Sequence, residues 1–304
     1  MITVVGSLNM DLVTYTGRMP VIGETIIGKS FKQIPGGKGA NQADAIAKLG
    51  AKVRMIGCVG SDDMGNTLLE SLNNDGVDIT RIKKVEGIST GIASITVDSA
   101  ANNCIIVVSG ANNMLSADDI RTSYDALQNS DVVVAQLEVP IETVKYVLST
   151  AKQLGKLTIL NPAPAVELDK DFLANVDILV PNDTELQLIS GIQVNNESDM
   201  ENAAQVLMNK GVRELIVTLG DKGCVHINKL GMKAYPAYKV NAVDTTAAGD
   251  SFIGAVAVAI NEGKSLEEAI HFATAVGAIT VTKEGAQSSL PLRGEVETFI
   301  RDVK

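Results

Sequence analysis

Residues 244–256 read Asp244-Thr245-Thr246-Ala247-Ala248-Gly249-Asp250-Ser251-Phe252-Ile253-Gly254-Ala255-Val256. This stretch predicts a turn of small residues that leads into an apolar helix, with Asp250 at the junction. The first N–H groups of a helix have no intrahelical acceptor, so a helix N-terminus binds anions. An isolated aspartate at this place most often only caps the helix. The small residues and the second acid, Asp244, favour an anion cradle beside a base, which phosphoryl transfer requires.

The rest of the chain alternates short apolar runs with helical patterns. Continuous apolar runs are typical of parallel strands that are covered on both faces. We predict strands at residues 2–5, 53–59, 131–135, 157–160, 178–180 and 215–219. We predict helices at residues 40–49, 64–75, 141–154, 200–210, 251–262 and 266–282. This alternation predicts an α/β fold with a doubly wound, mostly parallel sheet flanked by helices, in a single domain over residues 1–304.

Two early segments break this rhythm. They lie around residues 12–34 and 90–108, and both contain β-forming residues and turn residues without a helical period. In the second segment we predict strands at residues 91–97 and 104–108, joined by the turn at 98–103. We expect the two insertions to pair into a small β-sheet that projects from the main domain. Such a sheet would be a lid or a dimer surface.

A P-loop pattern, G-x-x-x-x-G-K-[ST], is matched letter for letter by Gly23-Glu24-Thr25-Ile26-Ile27-Gly28-Lys29-Ser30. The pattern has mechanical meaning only between a buried strand and a helix. A turn precedes this segment, and the Pro-Gly-Gly that follows Ser30 at residues 35–37 cannot start a helix. The β-formers Thr25, Ile26 and Ile27 indicate a strand of the small sheet instead.

A second glycine cluster, Pro35-Gly36-Gly37-Lys38-Gly39-Ala40-Asn41-Gln42, comes directly before a helical pattern. Glycines at a helix entry let a ligand approach the backbone closely. Lys38, Asn41 and Gln42 would then present side chains to that ligand. A tight turn before a buried helix is the alternative interpretation.

Polar side chains stand at the predicted strand ends, where open α/β sheets bind ligands. They are Asn9, Asp11, Glu138, Asn161, Asn182 and Glu185. Carboxylate and amide groups bond hydroxyls, so the set suits a small polyol or sugar. The loop Thr218-Leu219-Gly220-Asp221-Lys222-Gly223 follows a late strand and is a candidate for nucleotide contacts.

The composition excludes several classes of protein. The net charge is -10, which argues against a broad nucleic-acid surface. We find no signal peptide and no membrane-spanning run, and we expect a cytoplasmic protein with no membrane partner. The three cysteines, Cys58, Cys104 and Cys224, are predicted to be buried free thiols. The chain has only two histidines, which argues against a Ser-His-Asp triad. Its first predicted strand is not followed by the G-x-G-x-x-G motif of a Rossmann dehydrogenase, which argues against that class.

The chain resembles the phosphofructokinase-B family of sugar kinases. Six motifs carry the resemblance in order along almost the whole chain: Asn9-Met10-Asp11, the Gly-Gly-Lys-Gly segment, Gln136-Leu137-Glu138, Asn161-Pro162-Ala163-Pro164-Ala165, Pro181-Asn182-Asp183-Thr184-Glu185 and residues 244–250. It implies ATP-dependent phosphorylation of D-ribose at its 5-hydroxyl. Asp250 is then expected to be the base, and the backbone of Ala247, Ala248 and Gly249 the anion hole. The sugar contacts it implies are Asn9, Met10, Asp11, Gly37, Lys38, Gly39, Ala40, Asn41, Glu138 and Asp250.

The same resemblance implies the remaining ligands. ATP contacts are expected at Asn182, Thr218, Leu219, Gly220, Asp221, Lys222, Gly223, Gly249, Asp250 and Thr274. Mg²⁺ is expected on the phosphates, organised through water by Asn182 and Glu185. An activating K⁺ is expected near Asp244, Thr246, Thr280, Lys283, Gly285 and Ser289, largely through carbonyl oxygens. The small sheet is expected to be the lid and to pair into a homodimer.

Other functions stay open at this point. A kinase of the same family could act on deoxyribose or on a nucleoside, although the chain has no Trp and only five Phe and five Tyr for a base-stacking pocket. A dehydrogenase and a non-catalytic sugar-binding module are the alternatives from other classes.

Overall fold

The structure is a computed structural model that describes residues 1–100 and 102–303. Its main sheet has nine strands in the order β13-β12-β11-β10-β9-β8-β1-β4-β5, parallel from β5 to β11 and antiparallel at β12 and β13. These strands are β1 Ile2–Val5, β4 Val53–Gly60, β5 Asp78–Val85, β8 Val132–Ala135, β9 Leu157–Leu160, β10 Ile178–Leu179, β11 Glu214–Thr218, β12 Cys224–Asn228 and β13 Gly231–Tyr235.

Helices cover both faces of this sheet. On one face lie α1 Lys38–Lys48, α2 Asp63–Asn74, α9 Ala248–Asn261, α10 Leu266–Thr280 and α11 Arg293–Asp302. On the other lie α3 Ala117–Thr122, α4 Tyr124–Gln128, α5 Ile141–Gln153, α6 Lys170–Leu173, α7 Asp183–Ser190 and α8 Glu197–Asn209. Single 3₁₀ turns span Gly110–Met114, Gly220–Lys222 and Gln287–Ser289.

The two apolar cores explain the continuous apolar runs. Along β8, Val132 and Val134 belong to the core on one face of the sheet, whereas Val133 and Ala135 belong to the core on the other. Side chains alternate across a strand, so a strand buried on both faces must be apolar at every position. The predicted doubly wound α/β fold is therefore confirmed.

A second, four-stranded sheet has the order β3-β2-β6-β7 and is called the lid sheet below. Its strands are β2 Asn9–Tyr15, β3 Ser30–Gly36, β6 Gly91–Val97 and β7 Asn103–Val108. It is mixed, because β2 pairs antiparallel with β3 and parallel with β6. The two predicted insertions thus form one sheet. Of the predicted turn at 98–103, Ala101 lies outside the described residues.

One prediction for the lid sheet is wrong. Thr25, Ile26 and Ile27 do not lie in a strand, and Ile27 is almost fully exposed. β2 ends at Tyr15, which pairs with Ser30, so residues before Ser30 have no strand opposite them. The segment that matches the P-loop pattern is an exposed loop that leads into β3.

Close packing of α1 against α9 positions the site. A Cβ added to Gly254 would lie 2.9 Å from Cβ of Ala45 and 3.2 Å from the carbonyl oxygen of Gln42. Only glycine leaves room for this approach. The N-terminal turns of the two helices, which hold Lys38, Asn41 and Asp250, are thereby brought together.

The burial of the cysteines and the length of the helices can be compared with the sequence analysis. Cys58 and Cys224 are buried free thiols, but Cys104 is exposed, because it lies on the edge strand β7 of the lid sheet. Within the described residues, none of the helices has the length and apolar character that crossing a membrane requires.

Candidate active site

Asp250 lies in the first turn of α9 and is the centre of the site. Its side chain is only 7% exposed, and both carboxylate oxygens accept hydrogen bonds from amides of α1. Asn41 Nδ2 donates to Oδ2 over 3.0 Å, and Gln42 Nε2 donates to Oδ1 over 2.9 Å. Asp250 therefore does not cap its own helix through its side chain, which α1 holds in place instead.

The turn before α9 has an unusual backbone. Ala247, the N-cap, has φ 59° and is the only non-glycine residue with a positive φ in the described part of the chain. This left-handed conformation is costly for a residue with a Cβ and recurs at functional sites. In the described residues, no backbone acceptor faces the N–H groups of Gly249 and Asp250, while the N–H of Ala248 makes a long, 3.3 Å bond to Thr245 O. Unpaired N–H groups at a helix start form a site for an anion.

The glycine cluster before α1 is shaped by close backbone approaches. A Cβ on Gly37, whose φ is 92°, would lie 2.6 Å from the backbone N of Asn9. A Cβ on Gly39 would lie 2.6 Å from the backbone N of Ser7. These glycines let the start of α1 pack on the chain between β1 and β2, so that Lys38 and Asn41 face the cleft.

Glu138 is fixed from two sides. Its Oε2 accepts a 2.5 Å bond from Ser7 Oγ and a 3.2 Å bond from the backbone N–H of Lys38. Burial alone would lower the pKa of Lys38, but the charges of Asp250, Glu138 and Glu185 raise it above its ordinary value. Lys38 is therefore a cation held among acids, suited to neutralise a polyanion.

Asn9 and Asp11 reach the cleft from β2 of the lid sheet. Asn112 Nδ2 donates to Asn9 Oδ1 over 2.8 Å, so the Asn9 amide is left with its N–H₂ group as donor for a ligand. Burial, with Glu138 and Asp250 nearby, raises the pKa of Asp11 to about 7. The site thus carries both donors and acceptors for hydroxyl groups.

Two cavities meet at this constellation. A cleft of about 1340 Å³ lies between the lid sheet and the main domain, and it is lined among others by Asn9, Asp11, Gly37, Asn41 and Glu138. A smaller cavity of about 230 Å³ lies on the side of β10 and β11, lined among others by Asn161, Asn182, Glu185, Thr218 and Gly249. Four residues line both cavities: Lys38, Thr245, Ala247 and Asp250. Two ligands bound in these cavities would therefore meet beside Asp250.

Asn182 and Glu185 form a capping box at the start of α7. Asn182 Oδ1 accepts from the Glu185 N–H over 2.7 Å, and Glu185 Oε2 accepts from the Asn182 N–H over 2.9 Å. Burial raises the pKa of Glu185 above its ordinary value. Capping explains their positions, and their place on the smaller cavity makes them available to a second ligand.

Some predicted contacts do not line either cavity among the described residues. Met10, Gly39 and Ala40 are buried behind the cleft. Thr274 Oγ1 donates to Ile270 O within its own helix. Beyond Thr218, the loop of Leu219, Gly220, Asp221, Lys222 and Gly223 lies beside the smaller cavity without lining it.

Three of the residues predicted for the cation site gather at Asp244. Its Oδ1 accepts from Thr246 N over 2.9 Å and from Thr246 Oγ1 over 2.6 Å, and its Oδ2 accepts from Gly285 N over 2.9 Å. Burial opposes ionisation, but these hydrogen bonds outweigh it and lower the pKa of Asp244. Other predicted members are engaged elsewhere: Lys283 Nζ pairs with Glu295, Thr280 Oγ1 bonds Val276 O and Ser251 Oγ, and Ser289 Oγ donates to Ala286 O.

Sequence reasoning missed the residues that orient the site. Ser7, Asn112 and Gln136 each hold a site side chain by a hydrogen bond, and none was predicted as a site residue. Gln42 was expected to face the ligand, yet it is fully buried and lines neither cavity among the described residues. The only sequence signal for these orienting residues was that an uncharged polar side chain stands in an otherwise apolar segment.

Comparisons with known proteins agree with this geometry. Residues 1–293 match the family described as "pfkB family carbohydrate kinase". A ribokinase of Haemophilus influenzae is 42% identical over 299 residues, covering 98% of both chains. A deoxyribokinase of Salmonella typhi is 41% identical over 291 residues, covering 95% of both chains.

Solved structures show the same architecture. Ribokinase from Thermotoga maritima superimposes with a TM-score of 0.91 at 42% identity and 99% coverage of both chains. Arabidopsis thaliana ribokinase complexed with ribose and ATP gives a TM-score of 0.92 at 33% identity, covering 99% of this chain and 98% of that one. A putative ribokinase II from E. coli in complex with ATP and Mg²⁺ gives 0.83 at 25% identity, covering 99% of both chains.

Proposed function

The chain belongs to the pfkB family of carbohydrate kinases, and from this premise we propose that it transfers the γ-phosphoryl group of ATP to the 5-hydroxyl of D-ribose. The observation that carries the proposal is the meeting of the two cavities at Lys38, Ala247 and Asp250. The cleft under the lid sheet would hold the sugar and the smaller cavity the phosphates. Relatives named ribokinase, and a ribokinase complexed with ribose and ATP, support the assignment of the substrates.

The chemistry follows from the groups at this junction. As the sugar hydroxyl attacks the γ-phosphorus, its proton passes to a carboxylate oxygen of Asp250, and the bond to the bridging oxygen of ADP breaks. Phosphoryl transfer has a loose transition state, so positioning and charge stabilisation supply most of the rate. The N–H groups at the start of α9 and the ammonium group of Lys38 would stabilise the charge on the transferred group.

Asn9, Asp11, Asn41 and Glu138 would bind the sugar hydroxyls. They combine amide donors with carboxylate acceptors, and each side chain lines the cleft. A site built to bond a hydroxyl rejects an analogue without it, because buried polar groups are then left unpaired. The family also contains deoxyribokinases, such as the Salmonella relative, so deoxyribose is the second candidate acceptor.

Mg²⁺ is proposed on the ATP phosphates, near Asn182 and Glu185. Mg²⁺ usually keeps several waters and takes one or two carboxylates together with substrate phosphates. Glu185 fits such a water-mediated role. One of its carboxylate oxygens accepts a bond from Asn182 N, and the side chain lines the smaller cavity, so the other oxygen is placed to bind a water of the ion. The ion would supply positive charge between the phosphates.

An activating K⁺ is proposed beside Asp244 and the backbone at Thr246 and Gly285. Among the described residues no group of three or more His, Cys, Asp or Glu side chains could hold a metal ion. A site built mainly from carbonyl oxygens, with one carboxylate, fits a large monovalent cation. Its proposed part is to fix the turn before α9. The assignment is tested by comparing activity at equal concentrations of K⁺ and Na⁺. Circular dichroism of Asp244→Asn in the two salts is a second readout.

We also propose a homodimer formed through the lid sheet. β7 is an edge strand with all six residues exposed, and Ile105, Ile106, Val107 and Val108 are each at least 47% exposed. An exposed apolar edge strand is a pairing surface, and large exposed apolar patches mark interfaces.

One experiment tests the main proposal. A coupled ADP-release assay is run with D-ribose, 2-deoxy-D-ribose, adenosine and fructose 6-phosphate as acceptors, and the product is examined for phosphate on C5. We expect D-ribose to give the highest kcat/KM. A higher kcat/KM with another acceptor would replace ribose as the proposed substrate of this kinase. If none of the acceptors caused ADP release, the proposed substrate class would be overturned.

A further inference from the structure

A chain of buried amides leads from the end of β8 to Asp250. Gln136 Nε2 donates to Gln42 Oε1 over 2.6 Å, and Gln42 Nε2 donates to Asp250 Oδ1 over 2.9 Å. Both glutamines are fully buried, and among the described residues neither lines the cleft or the smaller cavity. Gln42 thus contacts Asp250 without lining either cavity, and Gln136 in turn holds Gln42.

The direction of this chain is fixed by hydrogen-bond chemistry. An ionised carboxylate only accepts, so the Gln42 amide must turn its N–H₂ group toward Asp250. Its oxygen is then left facing Gln136, which must offer N–H₂. Flipping either amide would set two oxygens or two N–H₂ groups against each other.

The end of β1 is shaped to admit Gln136. A Cβ on Gly6 would lie 1.8 Å from Gln136 Oε1, a distance at which no side chain fits. This oxygen is buried and has no hydrogen-bond partner in the described residues. A buried acceptor without a partner destabilises a fold. Packing alone therefore does not explain the amide, whereas its bond to Gln42 does.

We propose that Gln42 and Gln136 are positioning residues that hold the Asp250 carboxylate in the orientation needed to accept the proton of the attacking hydroxyl. The inference rests on the proposed function, in which Asp250 is the base. Asn41 holds the other oxygen but also lines the cleft, so it would contact the sugar as well. Gln136 reaches the reaction only through Gln42. Gln42 acts mainly through Asp250, because its other donated bond, to Asn161 Oδ1, is long at 3.4 Å.

The charges around Asp250 show why such a hold is needed. Lys38 on α1, Asp11 on β2 and Glu185 on α7 all interact electrostatically with it. Without Gln42, only Asn41 would hold the carboxylate, which would then be able to turn toward Lys38 and away from Asp11. A misplacement of about 1 Å at a reacting group costs about 10²-fold in rate.

The test uses the full chain and the best acceptor found in the sugar panel. Gln42→Met keeps the length of the side chain and loses its three hydrogen bonds, to Asp250, Asn161 and Gln136. Gln42→Asn keeps the amide but is too short to span the gap, and Gln136→Met removes the donor to Gln42. Thr3→Val is the matched control, because it breaks the buried 2.6 Å bond between Thr3 Oγ1 and Ser130 Oγ in the same sheet, away from both cavities.

We expect both Gln42 variants to lower kcat by about 10² and to leave KM for the sugar and for ATP within about threefold. Gln136→Met should lower kcat by about tenfold, and Thr3→Val should lower only the melting temperature. In an Asp250→Asn background, Gln42→Met should cause no further loss, because coupled residues are not additive.

Three results would overturn the inference: an unchanged kcat in Gln42→Asn, a rise in KM alone, or a full multiplicative loss in the double variant with Asp250→Asn. A best acceptor other than ribose would overturn the substrate assignment only, since the variants are compared with whichever sugar the enzyme uses.

Discussion

Asn41 donates from Nδ2 to Oδ2 of Asp250 over 3.0 Å, a contact that joins two helices across 209 residues of sequence. It places the proposed base at the junction of the two cavities. Asp250→Asn keeps the shape of the side chain but cannot take the proton. We expect kcat to fall by about 10²–10⁴ while ATP affinity changes little. ADP release and ATP titration measure these two quantities, and wild-type turnover in the variant would exclude Asp250 as the base.

Asp11 makes stability depend on pH. Its pKa is raised from 3.8 to about 7, so the folded state binds this proton more tightly than the unfolded chain. The free energy of unfolding therefore falls as pH rises between these values, and the loss is complete above about pH 7. Asp11→Asn removes the loss, and we expect it to raise the free energy of unfolding at pH 8 by roughly 2 kcal/mol, after allowing for partial exposure.

Urea unfolding at pH 4.5 and pH 8 measures the effect of Asp11→Asn, and the exposed Asp171→Asn is its control. The pKa of Asp44 is also raised to about 7 by burial. The stability of Asp11→Asn should therefore still depend on pH, but less strongly than that of the wild type. KM for the sugar should rise at the same time. Equal stability changes at both pH values would contradict the prediction.

The pair of Lys48 and Asp44 supports the loop that carries Gly285. Lys48 Nζ donates to Asp44 Oδ2 over 2.9 Å and to Gln287 O over 2.7 Å, and Asp44 is fully buried. Lys48→Met leaves a buried carboxyl without its partner, which costs about 3–5 kcal/mol. The loss should be larger at pH 8 than at pH 6, because Asp44 can become neutral at the lower pH. Unfolding of Asp44→Asn/Lys48→Met should show partial recovery, whereas additive losses would speak against the pairing.

The left-handed backbone at Ala247 predicts that glycine is tolerated there and that valine is not. Ala247→Gly relieves the strain but gains freedom when unfolded, so its stability should stay within about 1 kcal/mol of wild type. Ala247→Val places a β-branched side chain at φ 59° and should lose about 2 kcal/mol, together with part of kcat. Thermal melts and ADP release check both. Ala174→Val is the control, since Ala174 has an ordinary φ of -61°; a similar loss there would remove the argument from strain.

The proposed dimer is tested on the face of β7 that points away from the cleft. Ile106 is 63% exposed and does not line the cleft, unlike its neighbours Ile105 and Val107. Ile106→Glu would bury a charge in the proposed interface, and sedimentation should then report a monomer. Leu230→Glu, at a position that is 96% exposed in the β12–β13 turn, should leave the oligomeric state unchanged. A wild-type monomer would end the proposal.

Much of the fold was predictable because local patterns of apolar residues indicate the strands and helices. The six strands predicted in the alternating part of the chain all lie in the main sheet, and β1 and β9 have the predicted ends. The two strands predicted at residues 91–97 and 104–108 lie in the lid sheet as β6 and β7. The strand β5 was missed, because it lies at the sheet edge and pairs of polar residues separate its apolar residues Ile79, Ile82 and Val85. The hairpin of β12 and β13 was missed for a similar reason, since β13 is short and largely exposed.

The sequence predicted residues that line the cleft, but not those that support them. Asp250, Lys38 and Glu138 stand in motifs with a chemical reason. Gln136 and Asn112 hold other side chains across more than 90 residues of sequence, and such contacts leave no local pattern. Their partners become visible only when the sheet and helices are assembled.

The lid sheet and the helices divide the proposed sugar contacts between them. Asn9 and Asp11 belong to β2, whereas Asn41 and Asp250 belong to α1 and α9, which Gly254 packs tightly together. A sugar can touch both parts at once, but a water molecule beside Asp250 touches only the helices. In the proposed function, binding energy for drawing the lid sheet over the cleft would thus be available to a sugar and not to water. If the proposed sugar contacts hold, this division would spare ATP from wasteful hydrolysis while no sugar is bound.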